Sequence, residues 1–179
     1  MLTTKEKLFA NLIGNFHTHS RNMARMMVKP KPIVKSNSEL SNFIKGLGFG
    51  ITPSLADREY YFDTWDKWLK AIEIDWTNMN KYLTDAFDCD NFADIFNARM
   101  AEYYGWNTSG RLSVALYRPN TNQIIGYHRA SIIVALEGPI LRAYAYDPMI
   151  GMEDKYDKIE EAFIRIKNWV YAPNYISFN

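Results

Sequence analysis

Asp88-Cys89-Asp90-Asn91-Phe92-Ala93-Asp94 holds the only cysteine of a 179-residue chain, and its reading decides the fold. Phe92, Phe96, Met100 and Tyr103 follow the cysteine at steps of 3, 4, 4 and 3, the spacing of an apolar helix face. Gly105 stops the pattern. Cys89 therefore opens a helix of about four turns. There the aligned peptide dipoles favour a thiolate, and unpaired backbone N–H groups can receive an oxyanion. Asp88 and Asp90 oppose that ionisation, so a nucleophilic Cys89 needs a cationic neighbour. Asp88 is also suited to be the N-cap. Without partners the same cysteine is simply a small buried hydrophobe.

Downstream the hydrophobic period changes to two. Residues 111–118, 123–136 and 140–146 alternate, and turn residues stand at Pro119-Asn120-Thr121-Asn122 and Glu137-Gly138-Pro139. This predicts an antiparallel meander. With the second hairpin centred on Glu137-Gly138, paired positions sum to 275, and His128 faces Asp147 directly. Cβ atoms of such a pair lie about 4.5–5.5 Å apart, near enough for a carboxylate to orient an imidazole. A two-residue or a four-residue loop gives the same register, and an odd one breaks it. A helix packed on the same face then carries Cys89 to the ring. The predicted catalytic set is Cys89 as nucleophile, His128 as general base and Asp147 as its orienter.

Upstream, residues 63–74 read as a helix through Trp65, Trp68, Leu69 and Ile72, and a shorter one is expected over 76–83. Ser36 and Glu39 have capping-box spacing ahead of Leu40, Phe43 and Ile44. Gly46, Gly48 and Gly50 end that helix, and without a following Lys-Ser/Thr they are a turn and not a phosphate loop. Pro30 and Pro32 demand extended chain, and residues 4–13 predict a short helix with Leu8, Leu12 and Ile13. His17 and His19 form a His-x-His pair, but the only other histidine is His128, too few ligands for zinc. They are expected at the surface or as caps. At the far end Tyr156, Ile159, Phe163, Ile166 and Trp169 predict an amphipathic helix ended by Pro173. The organisation expected is an N-terminal arm or lid over 1–52 and a catalytic domain over 53–179.

The composition agrees with one folded domain: 47% hydrophobic, 15% aromatic, net charge +1. A single cysteine excludes an internal disulfide framework. Near-neutral charge argues against nucleic acid and membrane surfaces as partners. No apolar run approaches a membrane span, and the N-terminal apolar stretch is too short for a secretory signal. The expectation is a soluble, cytoplasmic protein of unspecified oligomeric state. Charge is uneven along the chain: no acid lies between Glu6 and Glu39, whereas ten lie from Asp57 to Asp94. The simplest reading is two solvated, mutually attracting faces.

Asp88-Cys89-Asp90-Asn91-Phe92-Ala93, then a strand histidine, then Asp147-Pro148, resembles the transglutaminase-like branch of the papain-like cysteine peptidase superfamily. It is also similar to the protease domain attached to certain fungal galactose-binding lectins. His128 lies 39 residues after Cys89 and Asp147 lies 19 after His128, spacings in keeping with that family. The resemblance covers residues 76–150. It implies an α+β papain-like fold, with the cysteine helix packed on an antiparallel sheet, and thiol-dependent hydrolysis of a peptide or amide. Amine acyl transfer, or a non-catalytic interaction role, is the alternative. No cofactor is required. The lectin protease domains are calcium-dependent, which makes Asp88 and Asp90 calcium candidates. Asn91 stands where aspartate is frequent, and Arg129 follows the histidine where a small residue is usual, a place from which it is expected to constrict or charge the substrate cleft. No glutamine precedes Cys89 to serve as an oxyanion donor, which leaves Asn80 and Trp76 as candidates.

Overall fold

The computed structural model describes residues 3–80, 82–83, 88–118, 121, 123–149, 157–158, 164–166 and 169–178. The chain enters through α1 (Thr4–Val28), capped by a reciprocal Thr3–Glu6 box. Where the sequence predicts a short helix over 4–13, α1 runs for 25 residues. Its apolar stripe does not end at Ile13: Phe16, Met23 and Met27 continue it, and Gly14 alone does not break a helix. Lys29, left-handed at φ 53°, and then Pro30 end it. Only Ala24 and Val28 of α1 are buried.

β1 (Ile33–Ser36) leads into α2 (Asn37–Gly46), which carries the expected Ser36–Glu39 capping box. Glu39 accepts from the Ser36 amide and from Lys35, and these bonds hold its carboxyl down at about 2. Short β2 (Ser54–Leu55) and β3 (Glu59–Phe62) follow, and β3 pairs antiparallel with β1. α3 (Trp65–Ile74) forms as predicted. Buried Asp63 accepts from the Thr64 amide, the Lys31 amide and Lys67, tying the post-α1 segment to the start of α3. A single 3₁₀ turn, Thr77–Met79, stands where the sequence predicts a helix over 76–83. Part of that expected helix, residue 81, lies outside the described residues. α4 (Cys89–Tyr104) closes at Gly105, whose φ of 75° suits glycine.

The meander is β4 (Ser109–Tyr117), β5 (Ile124–Glu137) and β6 (Ile140–Tyr146). It is followed by β7 (Asp157–Lys158), β8 (Ile164–Ile166) and β9 (Trp169–Phe178). The sheet order is β2-β9-β4-β5-β6-β7, with β8 on β9 and only β2 parallel to its neighbour. The C-terminal helix predicted through Ile166 and Trp169 is therefore corrected to strand; Tyr156, Ile159 and Phe163 lie outside the described residues. β4 has an open edge from Arg111 to Tyr117, and β9 pairs along all of it. A strand edge left bare costs its backbone hydrogen bonds, which outweighs a helical spacing of apolar residues. Pro173 does not end the element. It sits opposite Val114, where the register shifts by one, the bulge position at which a strand tolerates proline. Nearby, Gly110 is needed for close approach: a Cβ there would stand 2.2 Å from the Ser177 carbonyl oxygen.

Two cores flank this sheet. On one face Leu112, Val114, Ile132, Val134, Ile176 and Phe178 pack with Leu40 and Ile44 of α2 and with Tyr60 and Phe62. On the other, Ile133, Ala135, Tyr144 and Tyr146 pack beneath α1, α3 and α4. The sheet is thus the middle layer of three, and α4 lies on the face opposite α2.

Candidate active site

α4 begins at Cys89 because Asp88 is extended (φ −120°) and caps it: the Asp88 amide donates to Asn91 Oδ1 at 3.1 Å. The asparagine that departs from the family pattern is thus the reciprocal half of the cap. The first helical bond runs from the Phe92 amide to the Asp88 carbonyl, so the Cys89 amide lies upstream of the ladder.

The β5–β6 hairpin fixes His128 and Asp147. Glu137 pairs with Ile140, so the turn is the two-residue Gly138-Pro139 and paired positions sum to 277, not 275. Gly138 has φ 59°, and Pro139 cannot follow it with a second positive φ, so the turn is of the II′ kind. The parity survives and the register shifts by two. His128 and Asp147 are diagonal rather than opposite, just past the last pair, Ser131–Tyr146. The imidazole spans the diagonal: Nε2–H donates to Asp147 Oδ2 at 2.8 Å, and both side chains are largely buried. Asp147 Oδ1 accepts from the Met149 amide at 3.0 Å, which holds the carboxylate in orientation after the strand ends.

The route by which Cys89 arrives also differs from expectation. His128 shares the parity of Ala130, Ile132 and Val134, the face that α2 covers, whereas α4 packs on the other. The meeting takes place at the end of β6. Because β6 stops at Tyr146, no strand among the described residues pairs with β5 at 128–129 on that side, and the first turn of α4 meets it there. The Cys89 thiol stands beside the His128 side chain and the Arg129 backbone N–H, and both act to lower its pKa. With Nε2 on the carboxylate, Nδ1 is the ring nitrogen left to face the sulfur.

The electrostatics follow from this geometry. The His128 side chain lowers the Cys89 pKa; burial and the Asp88 charge push the other way, and the Arg129 amide adds to the lowering. For His128 the largest single influence, burial, is downward, but Asp147 and Cys89 together outweigh it and raise the imidazole to about 9. The pair therefore favours thiolate and imidazolium together. The neighbouring Asp88 and Asp90 carboxyls act on each other, raising the pKa of Asp88 and lowering that of Asp90. Asp90 also accepts from Arg129 Nη1 at 3.1 Å.

The other candidates are placed apart from this cluster's hydrogen bonds. Asn80 Nδ2 donates to the Thr77 carbonyl at 2.8 Å. The Trp76 ring lies under the Arg99 guanidinium, 3.4 Å from its centroid. His17 and His19, two apart on one helix, project in different directions; His17 binds Glu102 at 2.8 Å and His19 is exposed. Among the described residues no three His, Cys, Asp or Glu side chains are grouped to hold a metal ion; of the calcium candidates, Asp90 accepts from Arg129, and Asp88 donates its backbone amide to Asn91. A cavity of about 150 Å³ lies on the flank of α4, walled by Asp94, Asn97, Ala101, Arg111 and Ser177, away from the cysteine. No described helix is long and apolar enough to cross a membrane. Sequence reading missed the Arg129 interactions: its position after the histidine was the only signal, and that pointed to the substrate cleft.

A cysteine opening a helix, with that helix on an antiparallel-rich sheet whose central hairpin carries the histidine and aspartate, defines a papain-like α+β fold. Two solved structures share it. PSL1a in complex with E64 aligns with a TM-score of 0.58 and 15% identity, over 81% of this chain and 51% of that one. Polyporus squamosus lectin, bound to the human-type influenza-binding epitope Neu5Aca2-6Galb1-4GlcNAc, aligns with a TM-score of 0.60 and 14% identity, over 81% of this chain and 49% of that one. The chain thus spans about half the length of these lectins. No family model and no curated protein matches the sequence.

Proposed function

We propose that the protein is a thiol-dependent peptidase or amidase with Cys89 as nucleophile, His128 as general base and acid, and Asp147 as the residue that orients His128. The carrying observation is the convergence of thiol, imidazole and carboxylate, with Nε2 held 2.8 Å from Asp147. In the first step the Cys89 thiolate attacks the amide carbonyl carbon, forming the C–S bond and an oxyanion. That oxyanion is received by the Cys89 backbone N–H at the positive end of α4. Imidazolium His128 then protonates the leaving nitrogen as the C–N bond breaks. In the second step neutral His128 takes a proton from water, whose oxygen attacks the thioester; the carboxylic acid leaves and the thiol–imidazole pair is restored. Asp147 keeps Nε2 protonated and Nδ1 directed at sulfur throughout. That PSL1a was solved as a complex with E64 supports a peptide-like ligand for this chain.

Iodoacetamide labelling tests the reading. Cys89 is expected to react at neutral pH much faster than an exposed model thiol, and His128→Ala to slow it by roughly 10²-fold. A wild-type rate equal to that of the model thiol, unchanged by His128→Ala, would sink it.

A further inference from the structure

Arg129 touches the first turn of α4 twice. Its guanidinium donates to Asp90 Oδ2 at 3.1 Å, and its backbone N–H lies beside the Cys89 sulfur, lowering the thiol's pKa. Both contacts come from the same β5 residue and fall on adjacent residues of α4. One turn further on, the same flank of α4 meets β4 through Arg111, whose Nη2 donates to Asp94 at 2.8 Å and Nε to the other carboxylate oxygen at 2.5 Å. The two arginines lie on one face of the sheet, since Ser113 pairs with Arg129 and follows Arg111 by two. The helix flank is therefore fastened by two rungs, and only the Arg129 rung also holds the nucleophile.

We propose that Arg129 is a positioning residue: its guanidinium, through Asp90, clamps the first turn of α4 against the β5 edge so that Cys89 stays against both the Arg129 backbone N–H and the His128 ring. The proposal rests on the reading of Cys89 as a nucleophile. The guanidinium is engaged by Asp90, which offsets its charge. The acid beside the cysteine is neutralised by the protein's own side chain. Replacing Arg129 leaves the backbone N–H in place, so any effect belongs to the clamp alone. Removing an orienting interaction this close to the sulfur costs about tenfold or more in rate, because the nucleophile then samples geometries away from its base.

The test is the second-order rate of Cys89 alkylation by neutral iodoacetamide and by anionic iodoacetate, with thermal unfolding measured in parallel. Arg129→Met is expected to slow both reagents equally, by about tenfold, and Arg129→Lys to restore most of the loss. In an Asp90→Asn background, Arg129→Met should have no further effect. Arg111→Met, which removes only the more distant rung, should lower the melting temperature while leaving the rate within about twofold of wild type. Should Arg129→Met fail to fold, Arg129→Lys and Asp90→Asn carry the comparison. Unchanged rates in Arg129→Met overturn the clamp. Slowing of iodoacetate alone overturns it in favour of a cleft charge, and equal slowing in Arg111→Met overturns it in favour of general stiffening. A wild-type rate no faster than that of an exposed thiol instead overturns the nucleophile reading beneath it.

Discussion

α1 and α4 begin in the same way and finish differently. Each opens on a capping box and carries an apolar stripe at helical spacing. α4 buries six of its 16 residues, among them Phe92, Phe96 and Met100, against the sheet and its neighbouring helices. α1 buries two of 25, and Leu8, Phe9, Leu12, Phe16, Met23 and Met27 stay exposed. Capping and periodicity thus specify a helix, while seating requires a surface that matches it. α4 has one: its stripe meets Ile133, Ala135 and Tyr146, and its flank meets two arginines. Among the described residues α1 is held near its C-terminal half, by Ala24 and Val28, the His17–Glu102 hydrogen bond, the edge of the His17 ring against Tyr103 and the Arg21–Glu102 pair. A nucleophile needs the first kind of helix, because a catalytic geometry survives only where the supporting shell is rigid.

Phenylalanine truncation tests this contrast most directly. Phe96 is fully buried, so Phe96→Ala should cost about 3–5 kcal/mol in urea unfolding. A loss below roughly 1 kcal/mol would mean that α4 is not seated as described. An intermediate effect concerns the site at the start of α4. The His128 pKa is raised from 6.5 to about 9, so its contribution to stability is complete below its unfolded value and is lost as pH rises through about 9. The wild-type urea midpoint should therefore fall between about pH 7 and 9.5 by more than that of His128→Gln; parallel curves would count against the buried imidazolium. The smallest effect is expected on α1: Phe16 is 74% exposed, and Phe16→Ala should change stability by no more than about 0.5 kcal/mol. A larger loss would show that something covers this stripe in solution.

Much of this arrangement is legible along the chain. The α2 capping box, α3, the helix opened by Cys89 and the three meander strands form where the residues predict them, with strand ends displaced by one or two positions. Local chemistry dominates in these segments: Ser36 and Glu39 satisfy each other, Gly105 alone relaxes into φ 75°, and alternation in β5 matches two buried faces. Where reading failed, a distant partner decided. Residues 164–166 and 169–178 gain backbone hydrogen bonds by pairing, and those along β4 depend on an edge some sixty residues earlier. α1 runs past Ile13 because nothing in its sequence stops it before Lys29 and Pro30.

For the site, sequence alone determined the residue types and one geometric constraint. An even loop between β5 and β6 puts His128 and Asp147 on the same side, whatever its exact centre. Tertiary structure decided the rest. Gly138 accepted the positive φ of the turn, which moved the register by two and made the pair diagonal. β6 ended at Tyr146, so Cys89 reached the imidazole at the edge of β5 and not on the face predicted for its helix. Parity is a property of the backbone repeat and travels with the sequence, whereas the end of a strand and the seating of a helix depend on which surfaces are left to be covered.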